Sequence, residues 1–346
     1  MAYNGRLTSL SHGGGCGCKI APGVLSEILK GSPFRQLPKE LLAGSENNED
    51  AAVYQINDTQ AIVATTDFFM PIVDDPFEFG RIAATNAISD IYAMGAQPLF
   101  ALALLGMPIN VLPLEVIQKI TAGGEAVCAA ASIPVAGGHS IDTVEPIYGL
   151  VVIGLVDPKL LKRNNGSKAG DSIILSKPLG VGILSAGLKK EKLSPGGYTE
   201  MISLTTQLNT PGVTLSKHDG IHALTDVTGF GLAGHLLELC RGAQLKAQLQ
   251  WSSIPILSEA IDLVKAGIYT GASIRNWDGY GKEVTLVADT PIWHQHLLTD
   301  PQTSGGLLIS CASEVEKDVL KILNEDGFLS AKKIGTFCHG QGIEVI

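Results

Sequence analysis

Residues 78–95 limit the possible folds more than any other stretch of this chain. Phe79, Ile82, Ala83, Ala87, Ile88, Ile91, Tyr92 and Met94 recur at helical spacing, and Gly95 ends the run. Asn86 and Asp90, four residues and one turn apart, interrupt that small, apolar company. A buried carboxylate needs a partner, so either these two groups form an exposed stripe or the helix lies beside a polar site. Apolar runs of strand length flank the helix: 51–56 and 60–66 before it, 98–105 and 148–156 after. Strands alternating with helices are compatible with an α/β arrangement but do not by themselves specify its topology.

The 60–66 run stops at Thr65-Thr66-Asp67, which puts a carboxylate at a strand end. Elsewhere in the first half, spacing predicts a helix over 22–30, a polar loop over 41–50, and a helix over 114–132 weakened at Gly123-Gly124. Gly137-Gly138-His139-Ser140 has the composition of a turn whose glycines let backbone N–H groups approach an anion. The polar, turn-rich stretch 159–170 is the expected domain boundary. In the second half, strands are expected over 171–176, 222–227 and 307–311, with helices over 182–189, 201–208 and 213–215. Asp226 stands at the end of one such strand and leads into Thr228-Gly229-Phe230-Gly231-Leu232-Ala233-Gly234. That run matches the dinucleotide pattern of spaced glycines, yet no acidic residue follows at the required distance.

A length of 346 residues supports two cores, which divides the chain into an arm (1–20), an N-terminal domain (21–158) and a C-terminal domain (170–346). With 45% hydrophobic and 17% charged residues the composition is globular, and its net charge of −9 argues against nucleic acid or an anionic membrane as a main partner. The longest apolar runs, 99–107 and 148–156, fall far short of the ~18 residues a membrane span needs. Residues 1–10 lack the pattern of a secretory signal, and the six cysteines are mostly isolated. A reducing cytoplasm is the expected setting.

Chemistry concentrates in Gly13-Gly14-Gly15-Cys16-Gly17-Cys18-Lys19. A glycine run holds neither helix nor strand well, so the segment is expected to be mobile unless something binds it. Lys19 lies three residues from Cys16, close enough for its charge to favour the nucleophilic thiolate. The residues alone leave three readings open: a reactive thiol, half of a zinc site, or a disordered terminus. Asp50, Asp67, Asp90 and Asp226 each stand at the edge of an apolar element. If they converge, mutual repulsion calls for a shared cation, and magnesium with substrate phosphates suits carboxylate ligands best.

Six blocks, in order along the chain, resemble those of the selenophosphate synthetase (selenide, water dikinase) family. They are the Cys16-Gly17-Cys18-Lys19 arm, Thr65-Thr66-Asp67-Phe68-Phe69-Met70-Pro71, Asn86-Ala87-Ile88-Ser89-Asp90, Gly137-Gly138-His139-Ser140, Thr225-Asp226-Val227-Thr228-Gly229, and Asp300-Pro301-Gln302-Thr303-Ser304-Gly305-Gly306. The later blocks are shared with aminoimidazole ribonucleotide synthetase and thiamine-monophosphate kinase; the arm selects this family. The resemblance implies an α/β (α+β) two-domain fold like that of aminoimidazole ribonucleotide synthetase. Its N-terminal mixed sheet would form a barrel across a homodimer, and its C-terminal domain would be layered α+β. It implies conversion of ATP, selenide and water to selenophosphate, AMP and phosphate, with Mg2+, and selenium-delivery or selenium-using enzymes as further partners. Cys16 would handle selenium and Lys19 would meet the phosphates, with Cys18 auxiliary. Asp50, Asp90 and Asp226 would bind metal, Asp67 would lie near metal and nucleotide, and Gly138, His139 and Ser140 would line the nucleotide site across the dimer interface. The loop Asn47-Asn48-Glu49 would also approach the nucleotide, although family members often carry a basic or threonine-containing sequence there. Two rivals predict otherwise: a related ATP-dependent enzyme with turnover indifferent to Cys16, and a thiol carrier that binds without consuming ATP.

Overall fold

The computed structural model describes residues 3–20, 24, 27–28, 37–44 and 49–346. The expected 22–30 helix lies largely outside the described residues, as do Asn47 and Asn48.

The first half builds a sheet from β1 (Leu41–Ala43), β2 (Ala52–Asn57), β3 (Gln60–Phe69), β4 (Gln97–Met107), β5 (Val135–Asp142) and β6 (Ile147–Val156), in the order β1-β2-β3-β6-β4-β5. Neighbours are antiparallel except β4 and β5. Three sequence expectations change here. Part of the expected 41–50 loop is β1, paired with β2 through Leu41 and Ala43. Asp67 lies inside β3, where Phe68 and Phe69 continue the pairing with β6. The 137–140 stretch is the interior of β5; a Cβ at Gly138 would stand 2.1 Å from the Ala103 carbonyl oxygen, so this glycine serves strand contact.

Helices α1 (Pro76–Ala93) and α2 (Leu114–Ala130) cover one face of this sheet. The Asp75 side chain starts α1 by accepting from Glu78 N at 2.9 Å. Gly95, at φ +71, turns the chain out of it. The glycines expected to weaken α2 bring the two helices together: a Cβ at Gly80 would stand 1.9 Å from Ile120 O, and one at Gly123 would stand 2.0 Å from Phe77 O.

The second half forms a sheet from β7 (Ser172–Leu175), β8 (Ile221–Asp226), β9 (Leu245–Leu249), β10 (Val284–Leu286), β11 (Leu307–Cys311), β12 (Lys332–His339) and β13 (Gly342–Val345), ordered β10-β13-β9-β12-β7-β11-β8. Val181, Ile183 and Leu184 of α3 (Val181–Lys189) join the core that also holds Phe79 and Ile82, while α4 (Gly231–Ala243), α5 (Gly271–Tyr280) and α6 (Glu316–Glu325) belong to the second half around its sheet. Ile173 and Leu175 pack with Leu232, Leu236 and Leu239 of α4, whereas Ile174 packs on the other face with Val319 and Leu323 of α6. Burial on both faces explains the unbroken apolar run of β7.

The α1 helix belongs to both halves. Its last residue, Ala93, joins the core formed by Ile174, Leu224 and Leu307, and Gly212 packs where any Cβ would meet Tyr92 O at 2.0 Å. The polar face of α1 is thereby held between the two sheets.

The N-terminal arm is docked, contrary to the mobility expected of its glycines. Asp74 accepts from Thr8 N at 3.0 Å and Thr8 Oγ1 at 2.6 Å, and pairs with Arg6 at 3.0 Å. Gly15 N donates to Met70 O at 2.9 Å, and Lys189 Nζ donates to Ser11 O at 3.1 Å. The glycines allow this close fit: Gly15 sits at φ +54, and a Cβ there would stand 2.2 Å from Thr303 Oγ1.

Candidate active site

Alternation along β3 turns Thr65 and Asp67 toward α1 and Phe68 away from it. Thr65 Oγ1 donates to Asp90 Oδ2, and Asn86 Nδ2 donates to Asp67 Oδ2. The spacing matches: two residues of strand span roughly 6.6 Å and four of helix roughly 6.0 Å, so two rungs join strand to helix. Asn86 and Asp90 are buried, which excludes the exposed-stripe reading of α1.

The second sheet completes the cluster. Asp226, the last residue of β8, accepts from Ser89 Oγ of α1. Ser89 in turn accepts from Asn209 Nδ2 at 2.7 Å, which also donates to Gly305 O at 2.9 Å. Thr225 Oγ1 donates to Asp50 Oδ1 at 2.8 Å, leaving the buried Asp50 Oδ2 without a hydrogen-bond partner.

Burial, and then the nearby Asp226, push Asp50 and Asp90 well above the ordinary carboxylate range. Burial also raises Asp226, against a hydrogen bond from Ser89 that lowers it. Carboxylates that resist ionising beside one another are relieved by a cation. Among the described residues, no three His, Cys, Asp or Glu side chains stand close enough to hold a metal ion unaided. Magnesium usually takes only one or two carboxylates and completes its shell with water and substrate phosphates. An oxygen-only donor set with an orphaned Asp50 Oδ2 fits such an ion arriving with its nucleotide.

The arm closes over these groups. Cys16, 1% exposed, donates from Sγ to Asn86 Oδ1 at 3.1 Å and from its backbone N to Thr303 Oγ1 at 3.1 Å. Lys19 Nζ stands 3.7 Å from Asp67 Oδ1, whose charge holds the ammonium protonated. The expected thiolate does not follow in this closed arrangement. Burial and then Asp67 push the Cys16 thiol up, outweighing the downward pull of Lys19. Burial likewise pushes Cys18 up to about 11. The glycines after Asp226 make room for the arm, since a Cβ at Gly229 would stand 2.8 Å from Cys16 O and 3.1 Å from Lys19 Cδ.

Within 300–306, Asp300 and Gln302 cap α3. Asp300 Oδ2 accepts from Ile183 N at 3.2 Å, and Gln302 Oε1 accepts from Gly180 N at 3.0 Å and Val181 N at 3.2 Å. Burial pushes Asp300 up to about 8. Next to this turn lies Lys177, fully buried, donating to Gln207 O at 2.7 Å and Ser304 O at 3.0 Å. Burial pushes its ammonium down to about 7.

Other expected site residues lie elsewhere. Glu49 accepts from Arg163 Nε at 3.3 Å and Asn164 N at 3.1 Å. Gly138, His139 and Ser140 occupy exposed β5 at the sheet edge. His139 pairs with Leu104, Leu104 with Gly149, and Gly149 with Phe68, so His139 shares the outer face with Phe68, opposite Asp67. Ser89, Thr303, Asn209 and Lys177 join the site without a role legible from the sequence. Ser89 and Thr303 fall within two of the six blocks, whereas Asn209 and Lys177 lie outside them.

Comparison with known proteins agrees with this architecture. Residues 48–156 match the family of AIR synthase related protein, N-terminal domain, and 168–346 match its C-terminal domain. A selenide, water dikinase of Paraburkholderia xenovorans (strain LB400) is 62% identical over 342 residues, covering 99% of this chain and 97% of that protein. Another, from Pseudomonas straminea, is 63% identical over 331 residues, covering 95% and 93%. Among solved structures, thiamine-monophosphate kinase from Stenotrophomonas maltophilia K279a aligns with TM-score 0.64 at 21% identity, covering 95% of this chain and 96% of that one. The hydrogenase maturation protein HypE in complex with ATP aligns with TM-score 0.63 at 16% identity, covering 83% and 79%. The two-sheet architecture is thus that of the AIR synthase related proteins, and the chain belongs to the selenide, water dikinase family.

Proposed function

We propose that Asp50, Asp90 and Asp226 hold the magnesium of bound ATP during the synthesis of selenophosphate, the ATP-dependent activity that comes with membership of this family. The observation that carries the assignment is that Asp90 of α1, Asp226 of β8 and Asp50, just before β2, stand close enough for Asp226 to raise the pKa of the other two beneath one thiol-and-ammonium arm. When bound, the ion would neutralise phosphate charge, the main requirement of phosphoryl transfer.

The chain's own residues supply the rest. Lys19, resting on Asp67, is the positive charge placed to turn to the phosphates. Selenide is anionic at neutral pH and needs little activation, but it must be kept from bulk water and brought past the repulsion of the phosphate. The closed arm does both: Cys16 lines the place where selenide is held, its thiol able to donate a hydrogen bond to the anion with no bond made to sulfur, and burial around it excludes solvent. Asn86 orients the Cys16 sulfur while bridging to Asp67. Cys18 stays auxiliary.

A second copy of the chain is the proposed cover for the outer face of the first sheet. Phe68 is 51% exposed there, and Tyr54 and Leu99 are also exposed. His139 on the same face, with Gly138 and Ser140, would then reach a nucleotide across the interface. All six cysteines are free, which suits the reducing cytoplasm proposed as its setting. Phosphorus NMR of products formed from ATP, magnesium and selenide tests the function. Selenophosphate appearing together with AMP is expected; ADP as the only end product would contradict it.

A further inference from the structure

The turn at 303–305 is tied to the arm, to α1 and to the support of Asp226. Thr303 Oγ1 accepts from Cys16 N at 3.1 Å, and Ser304 N donates to Asn86 Oδ1 at 2.7 Å. Gly305 O accepts from Asn209 Nδ2 at 2.9 Å, the same amide that holds Ser89 on Asp226. One short turn therefore touches the arm, the α1 residue bound to Asp67, and the support of Asp226. Its backbone departs from ordinary geometry, since Ser304 sits at φ +54, a left-handed conformation disfavoured for a residue with a side chain.

Something must hold it there, and Lys177 does. Its Nζ joins Ser304 O at 3.0 Å to Gln207 O at 2.7 Å, two residues before Asn209. Lys177 is 1% exposed, and among the described residues its hydrogen bonds go to backbone carbonyls and no carboxylate forms an ion pair with it. A buried ammonium spent on two backbone carbonyls, from segments 97 residues apart, is a costly choice for packing alone. It is well suited to fixing the position of the turn.

We propose that the 303–305 turn is the seat of the catalytic arm, and that Lys177 is a positioning residue which holds this seat in register with Asn86 and Asp226. Closure of the arm adds the Cys16 bonds to Thr303 and Asn86, so a correctly placed seat favours the closed state. A displaced seat leaves the arm open and the thiol in water. The inference rests on the reading of Cys16 and Lys19 as arm residues that act when closed.

Cys16-specific alkylation of the full-length chain by iodoacetamide, followed by peptide mass spectrometry, measures arm opening. Lys177→Met and Thr303→Val should each raise the alkylation rate roughly five- to tenfold, the population change expected from losing about one hydrogen bond. Each should lower kcat by a similar factor with the KM for ATP within about twofold, a split that general loss of structure would not produce. Lys177→Gln, which keeps a donor, should fall between Lys177→Met and the unmodified chain. If the Lys177 variants do not fold, Thr303→Val decides: Cys16 protection and kcat both unchanged in it would overturn the seat. Unaltered protection in a folded Lys177→Met would overturn the role of Lys177. Rapid alkylation of Cys16 in the unmodified chain would instead refute the closed-arm reading beneath both.

Discussion

Exchanging Asn86 for Asp isolates one contact in the site. The two side chains share a shape, so in Asn86→Asp one carboxylate oxygen still accepts from Cys16 Sγ and Ser304 N. The other oxygen replaces Nδ2 and faces Asp67 Oδ2, turning a donated hydrogen bond into an encounter of two acceptors. Loss of a hydrogen bond to a charged group costs roughly 1.5–3 kcal/mol. Two carboxylate charges ~3 Å apart repel by roughly 5 kcal/mol at an effective dielectric near 20. Protonating one of them instead costs about 4 kcal/mol at pH 7 for an ordinary carboxyl. Protonation is the cheaper route, and because the protonated carboxyl then donates to Asp67 the hydrogen bond is kept, so the total is about 4 kcal/mol at pH 7, against roughly 7–8 kcal/mol for the doubly charged pair. That is a large share of the ~5–15 kcal/mol typical of a native protein.

The pH dependence has a definite sign. The crowded carboxyl pair binds a proton more tightly folded than unfolded, so the stability of Asn86→Asp relative to the unmodified chain falls as pH rises. Urea denaturation followed by circular dichroism at pH 5.5 and 7.5 should show the gap widening by about 2–3 kcal/mol between the two. A gap below about 1 kcal/mol that does not change with pH would refute the contact between Asn86 and Asp67.

Four further outcomes are expected. Gly123→Ala, whose new methyl would lie 2.0 Å from Phe77 O, should part α1 from α2 and cost roughly 3 kcal/mol by thermal denaturation. Lys19→Ala should lower kcat roughly 100-fold while isothermal titration shows ATP affinity changed by less than about threefold. Asp90→Asn should abolish ATP turnover, and raising magnesium should recover part of it if metal affinity is what was lost. Lys177 titrates near 7 when folded, below its ordinary 10.5, so the unfolded chain holds more protons between these values and Lys177 stabilises less as pH falls. Stability of the unmodified chain minus that of Lys177→Met should therefore grow by about 1.4 kcal/mol per pH unit from pH 7 to 9, read by urea denaturation.

Local pattern carried much of the fold. Periodicity located α1 to within two residues at each end, and β11 at 307–311 was legible from its apolar run and the glycines before it. Where glycine served long-range packing, local inference failed. Gly123 suggested a weak helix and Gly138 a turn, yet each admits a neighbouring backbone whose approach depends on pairing between distant segments. The arm failed for the same reason: its entropy is a local property, whereas its groove is built from Met70, Thr303 and Gly229. At the site, the polar pair Asn86 and Asp90 pointed to α1 because polar groups on a buried face demand partners. Proximity along the chain misled at Cys16, where Lys19 is three residues away but burial dominates. Likewise, the direction of His139 is set by strand pairing that no local pattern specifies.

Manganese substitutes for magnesium and scatters anomalously, so crystals grown with Mn2+ and a non-hydrolysable ATP analogue locate the ion directly. An anomalous peak against the triphosphate and at least two of Asp50, Asp90 and Asp226, with the arm over it, is the predicted result. A peak with the nucleotide bound away from all three carboxylates would contradict it.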